Sequence, residues 1–525
     1  MRFLLSNFII FLLFLTGFAV RLLYLNEIPR GVFGDEAFAA WESWALLNYG
    51  IDVGGYSNAV VIPYYGVGAA PFFYHFATPF IVLFGPTVFA VRLAQSLLGC
   101  LTLVVTYLFA KKVLGKKFAM LALFLLVINP WHIMMSRQGV EIYPSVFFLL
   151  FGSYLFCLGL EKPRLLILSA FVYGVSLYCY PPMWIIIPCL LLPQILYCFY
   201  CRKIKISKEF LISGAILALM AVPPILFLLV QWNIIPEVST KVISIPKMPS
   251  LRTSEFSLNV LNNCYYFFRI LFGHGYSNVR PNDYIPDFML FYAFGLPFIA
   301  IGIVCLLHKA WIKLKVRNYY APILFLFPVL GAIPYIMFHS GDSWKAMVHQ
   351  YIFVYIALIL CGSYGLLILW KRAGSLVGKT ITFLYFVSFI YFTFAYFNRP
   401  AVDPKIEISP LLQRSQASDA PIVWLSSSLG LMYGDFLLES LYPPDSFSHD
   451  AKWSTQKNSN FMRLDEVGRY RFMHFDKEVI FNDSAVYIFP THTDFSSFAK
   501  ELLKRGFDLD IINNFAYGYK HVPKK

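Results

Sequence analysis

The chain has 525 residues, of which 58% are hydrophobic and only 14% are charged, and its formal net charge is +14. A mean hydropathy of +0.62 is typical of a membrane-embedded protein and excludes an ordinary soluble domain. The positive excess lies before residue 399, because basic and acidic residues nearly balance in the remainder. This distribution argues against a nucleic-acid-binding patch and indicates signals of membrane topology.

Apolar segments long enough to cross a bilayer recur from the N-terminus to about residue 398. The first is too long for a signal-peptide core and has no small-x-small cleavage site, so we expect it to be retained. The stretch 69–85 is short and contains two prolines, so its apolar character alone does not decide whether it spans the membrane. Eleven other segments are predicted spans: 3–25, 87–110, 117–135, 142–160, 164–180, 182–201, 209–232, 287–308, 319–339, 347–370 and 379–397.

The basic residues of the loops favour an interfacial position for 69–85. If this stretch does not cross, most loop Lys and Arg residues fall on one side, where only Glu161 and Glu209 oppose them. Such an excess marks the cytoplasmic side. We therefore expect a multi-pass protein of the plasma or inner membrane with a cytoplasmic N-terminus. The segments 26–86 and 233–286 and the C-terminal tail would then be extracytoplasmic.

The tail changes character at residue 398. Strand-like runs begin at Pro421, Tyr470 and Ser484, and helical runs begin at Met432 and Phe495. The sequence therefore predicts an α-helical polytopic membrane domain, residues 1–397, followed by a small extracytoplasmic α/β domain, residues 398–525. All nine cysteines precede residue 362, mostly inside apolar runs, which indicates no disulfide framework.

Two acids stand side by side in the stretch GDEAFAAWESWALLNYG, residues 34–50. The apolar residues that follow recur at helical spacing, so Asp35 and Glu36 are expected in the first turn of an amphipathic helix on the outer surface. Carboxylates stabilise helix N-termini through the helix dipole, and for Glu36 this structural role competes evenly with a catalytic one. For Asp35 we favour catalysis, because several cations are expected at the same depth.

Four basic residues are expected near the outer rim of the bilayer, where a positive-inside sequence should avoid them. Snorkelling to lipid headgroups would explain any one of them. Together with a carboxylate they also describe a site for a phosphate-bearing lipid, such as a polyprenyl-phosphate sugar. The cations would stabilise the leaving phosphate while a base takes the acceptor hydroxyl proton. The residues are Arg92, Arg137 and Lys345, as ligands of the donor phosphate, and Arg21, as a supporting residue.

Two further outer residues are candidate supporting groups. Glu141 follows Arg137 by four residues and could orient a cation or a sugar, although a carboxylate at a helix start needs no such role. His75 lies in a loop rich in aromatic residues, which could stack on sugar rings or form the interfacial belt of any membrane protein. Asp52, His75, His132 and His274 are of metal-binding types, but no HxxxH or DxD spacing supports a site. We therefore expect no cofactor, while a divalent cation stays possible but has no support in the sequence.

The stretches 21–41, 71–99 and 129–144 resemble the GT-C superfamily of polytopic glycosyltransferases, in the branch of the protein O-mannosyltransferases and the lipid A aminoarabinose transferase. The resemblance implies that the acid pair marks the active site, with Asp35 in the place of the catalytic aspartate. It also implies a polyprenyl-phosphate-linked sugar donor and inversion at the anomeric carbon. The sequence departs from the aminoarabinose enzymes at residues 68–71, where they carry a Lys-Pro-Pro stretch, so the sugar and the acceptor stay open.

The leading hypothesis is thus a membrane glycosyltransferase acting on an unidentified hydroxyl acceptor, which could be a protein, a lipid or a glycan. A lipid-linked glycan flippase or transporter would place ionisable residues near the bilayer midplane, often in repeated halves. Here most span interiors lack charge and no repeat is visible. A polysaccharide polymerase would share the donor class and differ in its acceptor.

Overall fold

The computed structural model describes residues 2–249, 258–272, 288, 290–339, 351–399, 409–426, 433–455, 462–473, 481–491, 496–512 and 515–520. Lys345 and His274 lie outside these residues. The helices up to residue 399 are α1 (Arg2–Leu22), α2 (Gly34–Tyr49), α3 (Phe72–Phe84), α4 (Val88–Leu114), α5 (Lys116–Val127), α6 (Pro130–Ser136), α7 (Pro144–Gly159), α8 (Arg164–Ser176), α9 (Met183–Tyr200), α10 (Lys208–Gln231), α11 (Val260–Leu271), α12 (Leu296–Lys315), α13 (Phe327–Phe338), α14 (Ile352–Ala373) and α15 (Ser375–Asn398).

Eight of the helical segments in the described residues are long and apolar enough to cross a membrane, and a ninth span results if α5 and α6 are counted together. Each of the eleven predicted segments contains a helix, but three differ from a simple span. α5 and α6 are bent by 65°, because Asn129 caps the start of α6 and Pro130 cannot continue α5. α7 and α8 have 16 and 13 residues, or about 24 and 20 Å of helix.

Two short helices lie outside the long spans. α3 has 13 residues and is about 20 Å long, which is less than the roughly 30 Å of a hydrocarbon core. Because α8 has the same length, the interfacial position expected for 69–85 stays a prediction. α2 ends at Gly50, whose φ of 69° closes the helix in the left-handed conformation. The helix expected after Asp35 is therefore present, but ten of its sixteen residues are buried, so it does not lie on the surface as an amphipathic helix would.

The membrane helices pack around one apolar core, in which Phe118 stacks on Phe325. Two glycines bring α12 and α14 together. A Cβ on Gly302 would collide with the carbonyl of Cys361, and one on Gly365 would collide with the carbonyl of Phe298. Small residues of this kind allow helix backbones to approach closely inside a membrane.

The C-terminal part is an α/β domain. Its helices are α16 (Ser409–Gln416), α17 (Tyr433–Ser440), α18 (Pro444–Asp450) and α19 (Ser496–Lys504). β1 (Val238–Ser239) and β2 (Ser244–Ile245) form a separate hairpin, and the domain itself holds β3 (Ile422–Ser426), β4 (Lys452–Thr455), β5 (Met462–Val467), β6 (Tyr470–Met473), β7 (Ala485–Pro490), β8 (Asp508–Ile512) and β9 (Phe515–Tyr519). The strand order is β4-β5-β6-β3-β7-β9-β8, with β3 parallel to both β6 and β7. The predicted α/β character of the tail is confirmed.

The segment 26–86 and the C-terminal domain share a second hydrophobic core. Its members from α2, α3 and the start of α4 pack with residues of α17, α18 and the sheet, and they include Phe38, Trp41, Phe73, Val91, Leu425, Phe436, Phe447 and Ile488. The Nε1 group of Trp41 also donates to the carbonyl of Tyr442 at 3.1 Å. The C-terminal domain therefore lies directly on the helix that carries the acid pair.

Candidate functional site

Arg92 is buried beneath the start of α2. Its Nε and Nη2 groups donate to the two carboxylate oxygens of Glu36 at 2.9 and 2.8 Å. Its other N–H groups donate to the carbonyls of Leu25, Pro29 and Gly31 at 3.2, 3.0 and 2.8 Å. A guanidinium has five N–H donors, and all five are used here. Arg92 therefore has no donor left for a lipid phosphate, contrary to the role expected from the sequence.

Glu36 is enclosed in the same way. It is 0% exposed, and besides Arg92 it accepts from the backbone N–H groups of Phe33 at 3.3 Å and Gly139 at 2.9 Å. The first of these bonds caps its own helix, as the helix-start interpretation expects. The second joins α2 to the loop that precedes α7. Glu36 thus ties three segments together, and its carboxylate is fully buried.

Arg137, at the C-terminal end of α6, clamps the residues that follow α1. It donates to the carbonyls of Val20 and Leu23, both at 2.7 Å, and of Ile28 at 3.0 Å. Its guanidinium also lies 5.0 Å from the ring centre of Phe397. These carbonyls lie at a helix end or in a turn, where intrahelical partners are missing. The expected phosphate ligand therefore supports a turn of the backbone.

Arg21 is the centre of a third buried hydrogen-bond network. Its Nη2 group lies 2.7 Å from Nδ1 of His132 and donates to the carbonyl of Leu126 at 3.1 Å. Its Nη1 group donates to the carbonyls of Gly17 at 2.9 Å and Val127 at 3.4 Å. Arg21 is 0% exposed. It supports the bend between α5 and α6 rather than the surface near Asp35.

Asp35 is the half-buried member of the acid pair. Its Oδ1 atom accepts a hydrogen bond of 2.8 Å from the hydroxyl of Tyr64. Burial, and then the charge of Asp35, raise the pKa of Tyr64 well above its usual value. The hydroxyl therefore keeps its proton and acts as a donor to the carboxylate. Phe38, one turn along α2, stacks on the Tyr64 ring with centroids 4.0 Å apart.

Tyr74 lies among several acids. Burial raises its pKa, and the charges of Glu141, Glu42 and Asp35 raise it further, in that order. The Tyr74 hydroxyl therefore keeps its proton. The grouping of Asp35 and Glu141 in one outer site stays a prediction.

Glu42 and Asp52 form a second acidic pair, which is fully buried beside the first. Glu42 accepts from the N–H of Val53 at 3.2 Å, and Asp52 accepts from the N–H groups of Gly54 and Tyr56 at 2.8 and 2.9 Å. Burial raises the pKa of Asp52 to about 7. Burial, and then the charge of Asp52, raise the pKa of Glu42. Protons thus neutralise part of this pair at moderately acidic pH.

The other expected site residues do not join this group. His75 is exposed, whereas its neighbours Phe73, Tyr74 and Ala77 carry the buried face of α3. Lys345 falls outside the described residues, so its assignment stays a prediction. Within the described ranges, no three His, Cys, Asp or Glu side chains cluster closely enough to hold a metal ion.

Comparisons with known proteins agree with this architecture. Residues 68–227 match the family model of dolichyl-phosphate-mannose-protein mannosyltransferase. The fold matches ArnT from Cupriavidus metallidurans in the apo state with a TM-score of 0.60 and 13% identity, over 98% of this chain and 97% of that chain. The chain has the GT-C fold. No curated protein sequence matches it.

Two further structures share the GT-C fold. ArnT from Cupriavidus metallidurans bound to undecaprenyl phosphate matches with a TM-score of 0.51 and 13% identity, over 98% of this chain and 97% of that one. The apo oligosaccharyltransferase of Archaeoglobus fulgidus matches with a TM-score of 0.50 and 12% identity. This match covers 83% of the present chain and 63% of the oligosaccharyltransferase.

Within this GT-C fold, sequence reasoning missed three residues near Asp35. Glu42 follows Asp35 by seven residues, which places both on one face of α2, so helical spacing could have identified it. Tyr64 and Tyr74 carry no comparable signal. They belong to the aromatic-rich segment 26–86, with Tyr64 in a turn and Tyr74 in α3, and only folding shows which aromatic side chains of this segment approach the carboxylate.

Proposed function

We propose that this protein is a membrane glycosyltransferase that moves a sugar from a polyprenyl-phosphate donor to a hydroxyl acceptor, with inversion. The main support is the contrast between two adjacent acids: Glu36 is locked in a buried ion pair, whereas Asp35 is half-buried and oriented by Tyr64. The GT-C fold supports the same reaction class. One of the similar structures, ArnT, is bound to undecaprenyl phosphate.

Asp35 is the proposed general base. The carboxylate would accept the proton of the acceptor hydroxyl as the hydroxyl oxygen attacks the anomeric carbon, and the bond between that carbon and the lipid phosphate would break. Attack opposite to the leaving phosphate inverts the configuration of the sugar. Glu141, which follows Arg137 by four residues, would orient the acceptor or the sugar.

For the donor phosphate we propose Arg30 in addition to Lys345. Arg30 is exposed, and no hydrogen bond within the described ranges involves its side chain. The neighbouring carbonyls of Pro29 and Gly31 are held by Arg92. Arg30 therefore stands on a rigid turn, five positions before Asp35. A guanidinium there can bind phosphate oxygens through paired, charge-assisted hydrogen bonds.

We propose that the site and the C-terminal domain are extracytoplasmic. The shared core of α2, α3 and the C-terminal sheet requires both to lie on one side of the bilayer. That side is the one with few basic loop residues, and the N-terminus would then be cytoplasmic. The acceptor would accordingly be a protein, lipid or glycan outside the cytoplasm. A polymerase would use the same site and differ in the acceptor alone.

A lipid-linked glycan flippase or transporter receives less support. A transporter needs ionisable groups along its pathway. Two of the buried ionisable residues in the part of the chain that the structure describes, Arg21 and His132, bind each other, and Arg21 also binds backbone carbonyls. Their bonds support the bend between α5 and α6 rather than a polar pathway.

The test compares cells that lack this protein with cells in which wild type or Asp35→Asn replaces it, by mass spectrometry of their glycoproteins, glycolipids and glycans. Wild type should restore one glycan modification, which names both sugar and acceptor, and Asp35→Asn should not restore it at equal membrane abundance. Glu27→Gln, an exposed change in the same loop, is the matched control and should restore the modification. Restoration by Asp35→Asn would refute the role of Asp35 as base.

A further inference from the structure

A short turn lies between Asp35 and the C-terminal domain. Tyr64, its first residue, is 5% exposed and donates its hydroxyl hydrogen to Oδ1 of Asp35 at 2.8 Å. The turn ends at Gly66. Tyr65 and Gly66 have φ angles of 49° and 75°. A left-handed conformation is costly for a tyrosine, by roughly 1–2 kcal/mol, so surrounding contacts must hold this turn in place.

The C-terminal domain provides those contacts. The hydroxyl oxygen of Tyr433, at the start of α17, accepts a hydrogen bond of 3.1 Å from the backbone N–H of Tyr65. The Tyr433 ring centre lies 4.5 Å from that of Tyr65 and 5.5 Å from that of Tyr64. On the other side, Met462 of β5 leaves so little room that a Cβ on Gly66 would lie 2.7 Å from its sulfur. The turn is therefore held between two elements of the C-terminal domain.

The start of α17 also packs closely against the start of α2. A Cβ on Gly434 would lie 2.7 Å from the carbonyl oxygen of Gly34 and 3.0 Å from the nitrogen of Phe38. These two residues flank Asp35 on its helix. α17 follows β3 in the chain, and β3 is the strand with parallel neighbours on both sides. Ligands of open α/β sheets bind beyond the carboxyl ends of such strands.

We propose that the C-terminal domain positions the catalytic base through Tyr433 and Tyr64. Tyr64 is the positioning residue that fixes the orientation of the Asp35 carboxylate. Tyr433 is the residue of the C-terminal domain that holds Tyr64 in place. An acceptor bound beside α17 would then meet a base whose orientation the same domain has set. This inference rests on the proposed function, because it assigns both tyrosines to the reaction of Asp35.

Tyr64→Phe tests the first step, since it removes only the hydroxyl. Loss of one hydrogen bond to a carboxylate should lower kcat by about 10- to 100-fold and leave the KM for the lipid-linked donor unchanged. Tyr442→Phe is the matched control: it removes a hydroxyl that bonds Asp450 at 3.0 Å, away from the site, and should leave both kinetic constants unchanged.

A double-mutant cycle tests the second step. Tyr433→Phe removes the acceptor for the Tyr65 N–H and should lower kcat by a smaller factor. The double variant Tyr64→Phe/Tyr433→Phe should be no slower than Tyr64→Phe alone, because Tyr433 acts on Asp35 through Tyr64. Unchanged kcat in folded Tyr64→Phe, or additive losses, would overturn this inference while an inactive Asp35→Asn still supported the proposed function. An active Asp35→Asn would refute the proposed function itself.

Discussion

The carboxylate of Glu36 and the guanidinium of Arg92 form a two-pronged ion pair, with bonds of 2.9 and 2.8 Å, in which the side chains are 0% and 2% exposed. The adjacent Asp35 instead points to Tyr64 and remains half-buried. Two acids that are neighbours in sequence therefore have different tasks. Glu36 fixes the position of the helix, and Asp35 is left to do the chemistry we propose.

Replacement of Glu36 by Gln should destabilise the protein strongly. Removal of one partner of a buried ion pair typically costs about 3–5 kcal/mol, because the other charge stays buried. We expect a large fall in the midpoint of thermal denaturation, measured by fluorescence-detected size exclusion in detergent. Asp35→Asn, one position away, should melt close to wild type. A Glu36→Gln protein that melts like wild type and has lost activity would instead place Glu36 in the reaction.

Replacement of Arg137 by Gln should also act on stability. The change removes hydrogen bonds to the carbonyls of Val20, Leu23 and Ile28, and buried acceptors without partners cost about 1–3 kcal/mol each. We expect a lower melting midpoint and, for the folded fraction, unchanged affinity for polyprenyl phosphate. Arg30→Gln is the converse variant: its melting should be unchanged and its affinity lower. A reversal of these two results would restore Arg137 as a phosphate ligand.

The sequence predicts the positions of the helices better than it predicts which charged side chains are buried. Each of the eleven segments chosen by hydropathy contains a helix, and helical spacing locates α2 with its two acids. The roles of the arginines are not predictable in the same way. Arg92 and Glu36 are 56 positions apart, and no local pattern links them. The carbonyls that Arg137 binds become acceptors only because a turn leaves them without helical partners.

Span lengths show a similar limit. Averaged hydropathy predicts one span over residues 117–135, although Asn129 and Pro130 divide this segment into α5 and α6. The capping residue and the proline predict this break, whereas an averaged hydropathy does not detect it. The contact between the tail and α2 has no local signal at all. It joins Trp41 to Tyr442 across 401 positions.

The buried pair of Glu42 and Asp52 predicts that stability falls as pH rises. Unfolded carboxyl groups lose their protons near pH 4, whereas burial raises the pKa of Asp52 to about 7 and raises that of Glu42. The folded state thus binds more protons between about pH 4 and 7. Its stability should decline across that range by about 1.4 kcal/mol per pH unit for each group.

Glu42→Gln should therefore stabilise the protein at pH 8 and flatten the dependence of its melting midpoint on pH. Melting curves from pH 5 to 8 measure both effects. Glu27→Gln, which removes an exposed carboxyl of the same loop, serves as the control and should leave the curve unchanged. A Glu42→Gln protein that is less stable than wild type at pH 8 would show that the ionised carboxylate is favourable in its site.

Alanine at Gly302 or Gly365 should separate α12 from α14. Each new methyl group would meet a backbone carbonyl of the facing helix, and a backbone cannot move aside as a flexible side chain can. Overpacking commonly costs about 1–3 kcal/mol, and we expect the upper end of this range, seen as a lower melting midpoint. Gly214→Ala on α10 is the matched control, because nothing lies within 4 Å of its Cβ position. Gly214→Ala should melt like wild type, and equal melting of all three variants would refute the close approach of α12 and α14.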